Sequence, residues 1–318
     1  MDPYISVIIT VYNRTQYVDE AINSVLNQTL NRDKYEIIVV TNVDLSGREG
    51  VKIIKSNERW LGPKIAEGIL NARGEVICLL EDDDLFLSNK LEVVYNAFKR
   101  NNNLGLFKHP TIFRNYLGEE FTPLTLKKPL YVLNSTLNKK IIKEILKLGI
   151  GWNNSTLCFN KNILLEHKDC LKKIKLSVDS LGYLFLSKSD VMIWDFPLSI
   201  YRIHKSHVHL FHEANIKQLV ERNKIFYNDY IFINDCINNE IVRSLMNRLI
   251  ALRKIEIKFY DTDNNENFKI TLKDLFLAQS INRFSFLAYI SSFFPSSLRK
   301  IAVKYALKRI RKQLKLDN

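Results

Sequence analysis

The chain lacks a hydrophobic run long enough to cross a membrane as a helix. No segment of its 318 residues approaches the roughly 18 to 20 uninterrupted apolar residues that a span requires. The first four residues, Met1-Asp2-Pro3-Tyr4, carry no basic stretch and lead directly into an apolar segment. We therefore expect a strand at this point, not a signal peptide, and a cytoplasmic protein.

Cysteine and glycine are also scarce. The four cysteines show no paired metal-ligand spacing, so we expect reduced structural thiols. The ten glycines form neither Gly-x-Gly-x-x-Gly after the first apolar run nor a loop ending in Gly-Lys-Ser/Thr. These absences disfavour ordinary dinucleotide-binding and P-loop sites.

Acidic residues are outnumbered by basic ones, which gives a formal net charge of +13. Much of this excess lies near the end of the sequence, in a segment from Arg299 to Lys315. Charge alone is compatible with nucleic acid, anionic lipid or an anionic substrate. We expect no nucleic-acid partner, because no stacking platform or groove-reading motif accompanies the basic residues.

Strand-like and helix-like segments alternate through the first hundred residues. Apolar runs predict strands at residues 5–11, 36–40, 51–55 and 76–80, and helical periodicity predicts helices at 16–28, 62–72 and 91–99. This alternation predicts an α/β fold with a mainly parallel sheet flanked by helices on both faces. We predict one domain over residues 1–210, followed by a helical, basic C-terminal region over 211–318.

Four consecutive acids, Glu81-Asp82-Asp83-Asp84, directly follow the strand predicted at 76–80. Open α/β sheets place their ligands at this carboxyl end of the strands. Adjacent carboxylates repel one another, and their oxygens are ligands that Mg²⁺ and Mn²⁺ accept, so a divalent cation is one interpretation. The alternative is that Asp84 or Ser88 caps a helix beginning near Asn89 while the other acids face solvent.

Several segments, taken in order, resemble family 2 glycosyltransferases. The segments are residues 5–14, 21–29, 35–40, 72–84 with Lys90-Leu91-Glu92, and 201–204, which together cover roughly residues 4 to 210. This resemblance implies a GT-A-like (Rossmann-like) fold, a nucleotide-sugar donor, a divalent metal (Mn or Mg) and inversion of the anomeric centre.

The resemblance also implies roles for the acids. Asp83 would be the direct metal ligand, and Glu81 would reach the ribose or the metal through water. Asp82 and Asp84 would support them. A cation here would stabilise the charge that grows on the departing diphosphate.

The base that inversion requires would be Asp179, in the segment Ser177-Val178-Asp179-Ser180. It would take the proton from the acceptor hydroxyl as that oxygen attacks C1. The alternative is that Asp179 only caps the helix that runs toward Lys188.

The same resemblance implies a set of donor-binding positions. These positions are Thr10, Tyr12, Asn13, Asn42, Asp44, Lys64, Glu81, Asp82 and His204. Tyr12 could lie against the base or fill the core, and Lys64 could face the diphosphate or be a surface lysine. Trp152-Asn153-Asn154 resembles the segment that lines the acceptor side, and for Trp152 the alternative is a role in the core.

A histidine group offers a competing interpretation, because His204, His207, His209 and His212 fall within nine residues. Zinc is disfavoured, since no carboxylate or cysteine completes the set. Residues 207 and 209 would also share a strand face directed away from 204.

The C-terminal region combines an aromatic segment at 284–294 with a basic amphipathic helix predicted at 297–314. This combination suits a helix lying on an anionic cytoplasmic leaflet, which would place the protein on the inner face of the cell membrane. The alternative is a helix packed on the catalytic domain with its charges in water.

Together these features predict an inverting, metal-dependent glycosyltransferase that acts on a glycan or lipid-linked saccharide. A sugar-nucleotide pyrophosphorylase is disfavoured, because it needs a Gly-rich, Arg-containing loop where Tyr12-Asn13-Arg14-Thr15 stands. A catalytically inactive scaffold of a membrane glycan-assembly complex remains open, because Thr41-Asn42 and Val178 depart from the family pattern.

Overall fold

A computed structural model describes residues 2–122, 126–204, 215–263, 268–279, 281 and 284–313. The strands are β1 Ile5–Val11, β2 Tyr35–Thr41, β3 Val51–Lys55, β4 Val76–Glu81, β5 Leu85–Phe86, β6 Leu104–Lys108, β7 Ile112–Arg114, β8 Glu120–Phe121, β9 Leu130–Val132, β10 Leu157–Asn160, β11 Asp190–Ile193 and β12 Ser199–Arg202.

Helices connect and cover these strands. They are α1 Val18–Leu26, α2 Leu61–Asn71, α3 Lys90–Arg100, α4 Lys139–Lys147, α5 Lys161–Glu166, α6 Lys168–Lys173, α7 Leu181–Leu186, α8 Ile216–Asp235, α9 Glu240–Tyr260, α10 Leu272–Gln279, α11 Phe284–Ser291 and α12 Ser296–Gln313.

The larger sheet has the strand order β3-β2-β1-β4-β10-β6-β11-β9 within the described residues. Strand β1 lies between β2 and β4 and is parallel to both, with Ile5 opposite Tyr35 and Val76. Pairs β2–β3 and β6–β11 are also parallel, whereas β10 and β9 pair in antiparallel fashion. The mainly parallel α/β sheet predicted from sequence is confirmed.

Both faces of this sheet are covered by helices. Because successive strand residues point to opposite faces, Val7 and Ile9 pack with α1 and α3, whereas Ile8 packs with α2. Residues of α7, α8 and α9 join the same cluster as Ile8. Full burial of β1 on both faces explains why its sequence is a continuous apolar run and not an alternating one.

A smaller sheet, ordered β5-β12-β7-β8, adjoins the larger one. Its pairing of Ser199 with Phe86 brings β12 next to the turn that follows β4. Strand β12 and the turn with the four acids, more than a hundred positions apart in sequence, therefore lie next to each other. The N-cap of α3 is Asn89 and has no side-chain capping bond, and Asp84 instead contacts β12, so the capping alternative is wrong.

The C-terminal helices pack closely on the rest of the chain. The helix predicted at 297–314 is present as α12, and its Val303 and Leu307 are fully buried against Leu219 and Phe259. Residue 210, the predicted domain boundary, lies outside the described residues, and the two-part division stays a prediction. None of the described helices is both long enough and apolar enough to span a bilayer.

We predict that the buried face of α12 contributes strongly to stability. Leu307→Ala should lower the free energy of unfolding by about 2 to 4 kcal/mol, since it leaves a cavity in a closed cluster. Ile301→Ala is the matched control, because Ile301 is 65% exposed on the same helix, and it should cost less than about 0.5 kcal/mol. Urea denaturation followed by circular dichroism measures both, and equal losses would contradict this packing.

Candidate active site

The four acids Glu81-Asp82-Asp83-Asp84, here called the acid segment, lie at the carboxyl end of β4 and in the turn that follows. Asp82, Asp83 and Asp84 are almost completely buried. Buried carboxylates are unfavourable unless charged or hydrogen-bonded groups surround them. The chain supplies such groups from three separate segments.

Arg14 supplies the nearest positive charge. It follows β1, its Nε donates to Asp82 Oδ2 at 2.9 Å, and its Nη2 donates to Asp83 Oδ2 at 2.6 Å and also to Asp82 Oδ1. Burial alone would lower the pKa of Arg14, but the hydrogen bonds and charges of these two aspartates raise it above its ordinary value. The guanidinium therefore stays charged and offsets the repulsion between the two carboxylates.

His204 approaches the same carboxylate from beyond β12. Its Nε2 lies 3.0 Å from Asp83 Oδ2 and 3.3 Å from Arg14 Nη1. A carboxylate oxygen and an imidazole nitrogen thus converge at one point, where both atom types accept divalent cations. The other three histidines of the possible zinc group lie outside the described residues.

Magnesium and manganese ions are commonly held by one or two protein side chains, with phosphate oxygens and water completing the coordination. The described part of the chain holds no group of three or more His, Cys, Asp or Glu side chains placed to bind a metal. Asp83 and His204 would therefore supply two ligands to such an ion, and the remaining ligands would have to come from outside the protein.

Glu81 is held by the segment that precedes β10. Asn154 Nδ2 donates to Glu81 Oε1 at 2.6 Å, and the Glu81 backbone N donates to Ser155 Oγ at 3.0 Å. Burial, together with the charge of Asp83, raises the pKa of Glu81 to about 7. This carboxyl can therefore exchange a proton near neutral pH.

Asp84 ties the acid segment to β12. Its Oδ1 accepts from the Arg202 backbone N at 3.0 Å, and the Arg202 Nε donates to the Asp83 carbonyl at 3.0 Å. Burial is the first cause that raises the pKa of Asp84 well above its ordinary value, and the charge of Asp83 is the second. Asp84 therefore positions a strand and does not face solvent.

Asp179 lies in a short 3-10 helix, Val178–Ser180, directly before α7. Its Oδ2 accepts from the Asn153 backbone N at 3.0 Å, and the Asn153 side chain lies 3.4 Å from Asp84 Oδ2. One residue, Asn153, therefore contacts both the predicted base and the acid segment. Its φ of +65° turns the backbone so that both contacts form.

The environment of Asp179 suits proton transfer. Burial raises the pKa of its carboxyl to about 6, although the hydrogen bond from Asn153 and the charge of Lys108 act in the opposite direction. The alternative that Asp179 only caps a helix is not supported, since Ser180 is the N-cap of α7 and no side chain caps it. A carboxylate of this basicity matches what a general base needs near neutral pH.

Lys64 and Tyr12 form a pair near the ends of β1 and α2. Lys64 is buried, its Nζ donates to the Val11 carbonyl at 3.0 Å, and that Nζ lies 4.3 Å from the centre of the Tyr12 ring. Burial lowers the pKa of Lys64 to about 8. The alternatives were therefore wrong for both residues, because Lys64 is not a surface lysine and Tyr12, 37% exposed, is not core filling.

The remaining predicted donor positions are Asn13, Asn42, Thr10 and Asp44, and their surroundings differ. The backbone N of Asn13 donates to Asn42 Oδ1 at 3.0 Å, and Asn42 Nδ2 donates to Asn13 Oδ1, so the ends of β1 and β2 are joined. Thr10 is buried within β1, opposite Glu81. Asp44 is exposed, and its Oδ1 accepts from the Ser46 backbone N in a local turn.

Four arginines that lie near the acid segment or near Asp179 were not predicted as site residues. They are Arg14, Arg202, Arg222 and Arg253. The signal for Arg14 was available, because a basic residue three positions beyond β1 faces the acids that end the neighbouring strand β4. No comparable local signal marks the other three, which come from distant elements.

Residues 6–116 match the family model described as Glycosyl transferase family 2. A glycosyltransferase of Rickettsia bellii is 37% identical over 125 residues, which are 36% of this chain and 17% of that protein. Glycosyltransferase alr2836 of Nostoc sp. is 25% identical over 252 residues, 71% of this chain and 75% of that protein. The match covers less than a quarter of the Rickettsia bellii and Rickettsia felis proteins, at 17% and 23% of their lengths.

Solved structures share the fold. The crystal structure of S. aureus TarS 1-349 has a TM-score of 0.58 and 14% identity, covering 98% of this chain and 92% of that chain. Mannosyltransferase PcManGT from Pyrobaculum calidifontis, in complex with GDP-Man and Mn²⁺, has a TM-score of 0.56 and 10% identity, covering 100% of this chain and 89% of that one. The family resemblance and the GT-A-like fold predicted from sequence are confirmed.

Proposed function

Because residues 6–116 match the model of glycosyl transferase family 2, we propose that this protein transfers a sugar from a nucleoside diphosphate donor to an acceptor hydroxyl, with inversion and with a divalent metal. The observation that carries this proposal is the double contact of Asn153. That residue links Asp179, the base, to Asp84 of the acid segment. The groups that would act on the leaving group and on the attacking oxygen therefore belong to one hydrogen-bond network.

On the donor side, the diphosphate would meet positive charge from Lys64 and Arg14. The nucleoside would lie near Tyr12 and the Asn13–Asn42 pair, whose amide groups both donate and accept hydrogen bonds. Complexes of structural relatives support this class of donor, since TarS was solved with UDP-GlcNAc and PcManGT with GDP-Man. The donor of this chain is proposed only as a nucleoside diphosphate sugar.

Asp83 and His204 would hold the metal, as Mn²⁺ or Mg²⁺. When bound, the ion supplies positive charge that stabilises the departing diphosphate. Arg14 then has a separate task, because it neutralises Asp82 and orients Asp83 through hydrogen bonds to both. Glu81, held by Asn154, would contact the ribose or a metal-bound water.

Asp179 would act as the general base. Its carboxylate takes the proton from the acceptor hydroxyl while the hydroxyl oxygen forms a bond to C1 of the sugar and the bond from C1 to the phosphate oxygen breaks. The hydrogen bond from the Asn153 backbone N to Oδ2 fixes the orientation of this carboxylate. Attack from the face opposite the leaving group inverts C1.

The acceptor would be a glycan or a lipid-linked saccharide. Next to Asp179, the Trp152 ring stacks on Phe113 at 5.3 Å and lies 5.4 Å from the Tyr201 ring. Trp152 is 42% exposed although it belongs to this aromatic group. An exposed aromatic face next to a base is suited to the apolar face of a sugar ring.

We also propose that α11 and α12 lie against the anionic cytoplasmic leaflet of the cell membrane. Opposite its buried side, α12 exposes Leu298, Ile301 and Tyr305, and α11 and the turn after it expose further apolar side chains. Lys300, Lys304 and Lys308 flank this surface at helical spacing. An exposed apolar surface bordered by lysines fits an anionic lipid interface better than water.

We predict that a matching donor will stabilise the protein only in the presence of the metal. In a thermal-shift panel of nucleotide sugars with and without Mn²⁺, one donor should raise the melting temperature by several degrees and be slowly hydrolysed. Asp83→Asn should abolish the Mn²⁺-dependent part of this shift, and Asp33→Asn, an exposed aspartate just before β2, should leave it unchanged. Absence of any donor effect would favour the inactive scaffold.

We predict that Asp179→Asn lowers transfer at least about a thousandfold while donor affinity stays within twofold, because the base does not contact the donor phosphates.

In the unaltered protein, kcat/KM should fall about tenfold per pH unit below pH 6, since protonation removes the base. A raised carboxyl pKa disfavours the folded state as the pH rises from about 4 to 6. Asp179→Asn should therefore raise the melting temperature at pH 8, and a loss of donor binding would argue against this role.

We predict binding of the full chain to phosphatidylglycerol vesicles, weakened by salt, with little binding to phosphatidylcholine. The double variant Phe293→Ser/Ile301→Ser removes two exposed apolar side chains and should reduce recovery in flotation about tenfold or more. Phe196→Ser is the matched control, because Phe196 is equally exposed on the β11–β12 connection. Equal recovery of the unaltered protein, the double variant and Phe196→Ser would contradict the membrane proposal.

A further inference from the structure

Next to Asp179 lies a cavity of about 400 Å³, here called the Asp179 cavity, which is open to solvent. The catalytic part of the chain contributes Trp152, Asp179 and Tyr201, and the C-terminal helices contribute the opposite wall. That wall includes Arg222 and Phe226 of α8, Arg253 and Glu256 of α9, and Ile310 of α12. The volume of the Asp179 cavity lies within the range of about 300–1,000 Å³ that is typical of ligand sites.

The two arginines of this wall differ in their partners. Arg253 is satisfied by the protein, since its Nη1 donates to Glu256 Oε2 at 2.6 Å and to Asn223 Oδ1 at 3.1 Å. Arg222 stands 5.2 Å from the centre of the Phe226 ring. Within the described part of the chain, no carboxylate pairs with it and no side chain accepts a hydrogen bond from it.

The surroundings of Arg222 make an unpaired charge costly. Burial lowers its pKa, and the charge of Arg253 contributes in the same direction, whereas Tyr201 and the charges of Asp179 and Glu81 act against them. A guanidinium in such a position is stabilised when an anion enters, and its planar donors match the oxygens of phosphate and carboxylate groups. Stacking on Phe226 orients the guanidinium but does not neutralise it.

We infer that the Asp179 cavity takes an acceptor that carries an oxyanion, a phosphate or a carboxylate, close to the attacked hydroxyl, and that Arg222 recognises that charge. This inference rests on the proposed function, because it identifies the chemical class of the acceptor. The sugar or polyol part would lie on Trp152 and Tyr201 with its hydroxyl toward Asp179. Arg222 would hold the anionic group on the side of the C-terminal helices and thereby select charged acceptors over neutral ones.

The test uses isothermal titration calorimetry on the full chain, at constant ionic strength, with three small probes. Glycerol 1-phosphate carries a phosphate, glucuronate a carboxylate, and glycerol no charge. At least one anionic probe should bind tenfold or more tightly than glycerol, and the preferred anion identifies the source of the charge. Similar weak binding of all three probes would overturn the inference.

Variants assign the binding to a residue. Arg222→Gln should weaken binding of the preferred anion at least tenfold, and Arg222→Lys, which keeps the charge, should restore part of it. Arg243→Gln is the matched control, an exposed arginine of α9 that does not line the cavity, and it should change binding less than twofold. Lys64→Met should also leave binding unchanged, because Lys64 belongs to the donor side.

The outcomes separate this inference from the proposed function. Loss of anion binding in Lys64→Met, with none in Arg222→Gln, would place the anion at the donor phosphates and overturn the inference. A donor that stabilises the unaltered protein, without any anion binding through Arg222, would overturn only the acceptor class. A third outcome is that the anion binds through Arg222 but no nucleotide sugar stabilises the protein. That outcome would overturn the proposed transferase function, and with it the assignment of the anion as an acceptor.

Discussion

The structure of this site depends on the burial of three adjacent carboxylates, Asp82, Asp83 and Asp84. Such a segment could not remain folded without groups that neutralise it, because each buried charge without a partner costs several kcal/mol. Arg14 arrives from the end of β1, Arg202 and His204 from β12, and Asn154 from the turn before β10. The need to satisfy these acids therefore explains why the small sheet folds back onto the end of β4.

The same burial prepares the chemistry. Removing Asp179 and Glu81 from water raises the pKa of each, to about 6 and about 7, and so brings two carboxyl groups into the range where proton transfer is useful. Asn153, held at a positive φ, contacts Asp179 through its backbone N and Asp84 through its side chain. A raised carboxyl pKa disfavours the folded state at higher pH, so the burial that brings these groups near neutrality also lowers stability there.

Much of the fold could be predicted because β1, β2 and β4 are continuous apolar runs with acids or polar residues at their ends. Strand β6 was missed, since Leu104–Lys108 contains glycine and ends in a buried lysine whose Nζ donates to Thr156. Asp84 and Asp179 were named as site residues from motif resemblance, and Asn153 contacts both of them in the structure. Arg222 and Arg253 could not be found from the sequence, because only the packing of α8 and α9 brings them to the same cavity.

The position of α12 has a consequence for the order in which a ribosome delivers the site. Tyr12, Lys64 and Asp83 are translated more than two hundred residues before Ile310, which belongs to the opposite wall of the Asp179 cavity. A nascent chain can thus fold β1, α2 and β4 long before that wall exists. Co-translational folding would therefore leave the Asp179 cavity incomplete until α12 docks.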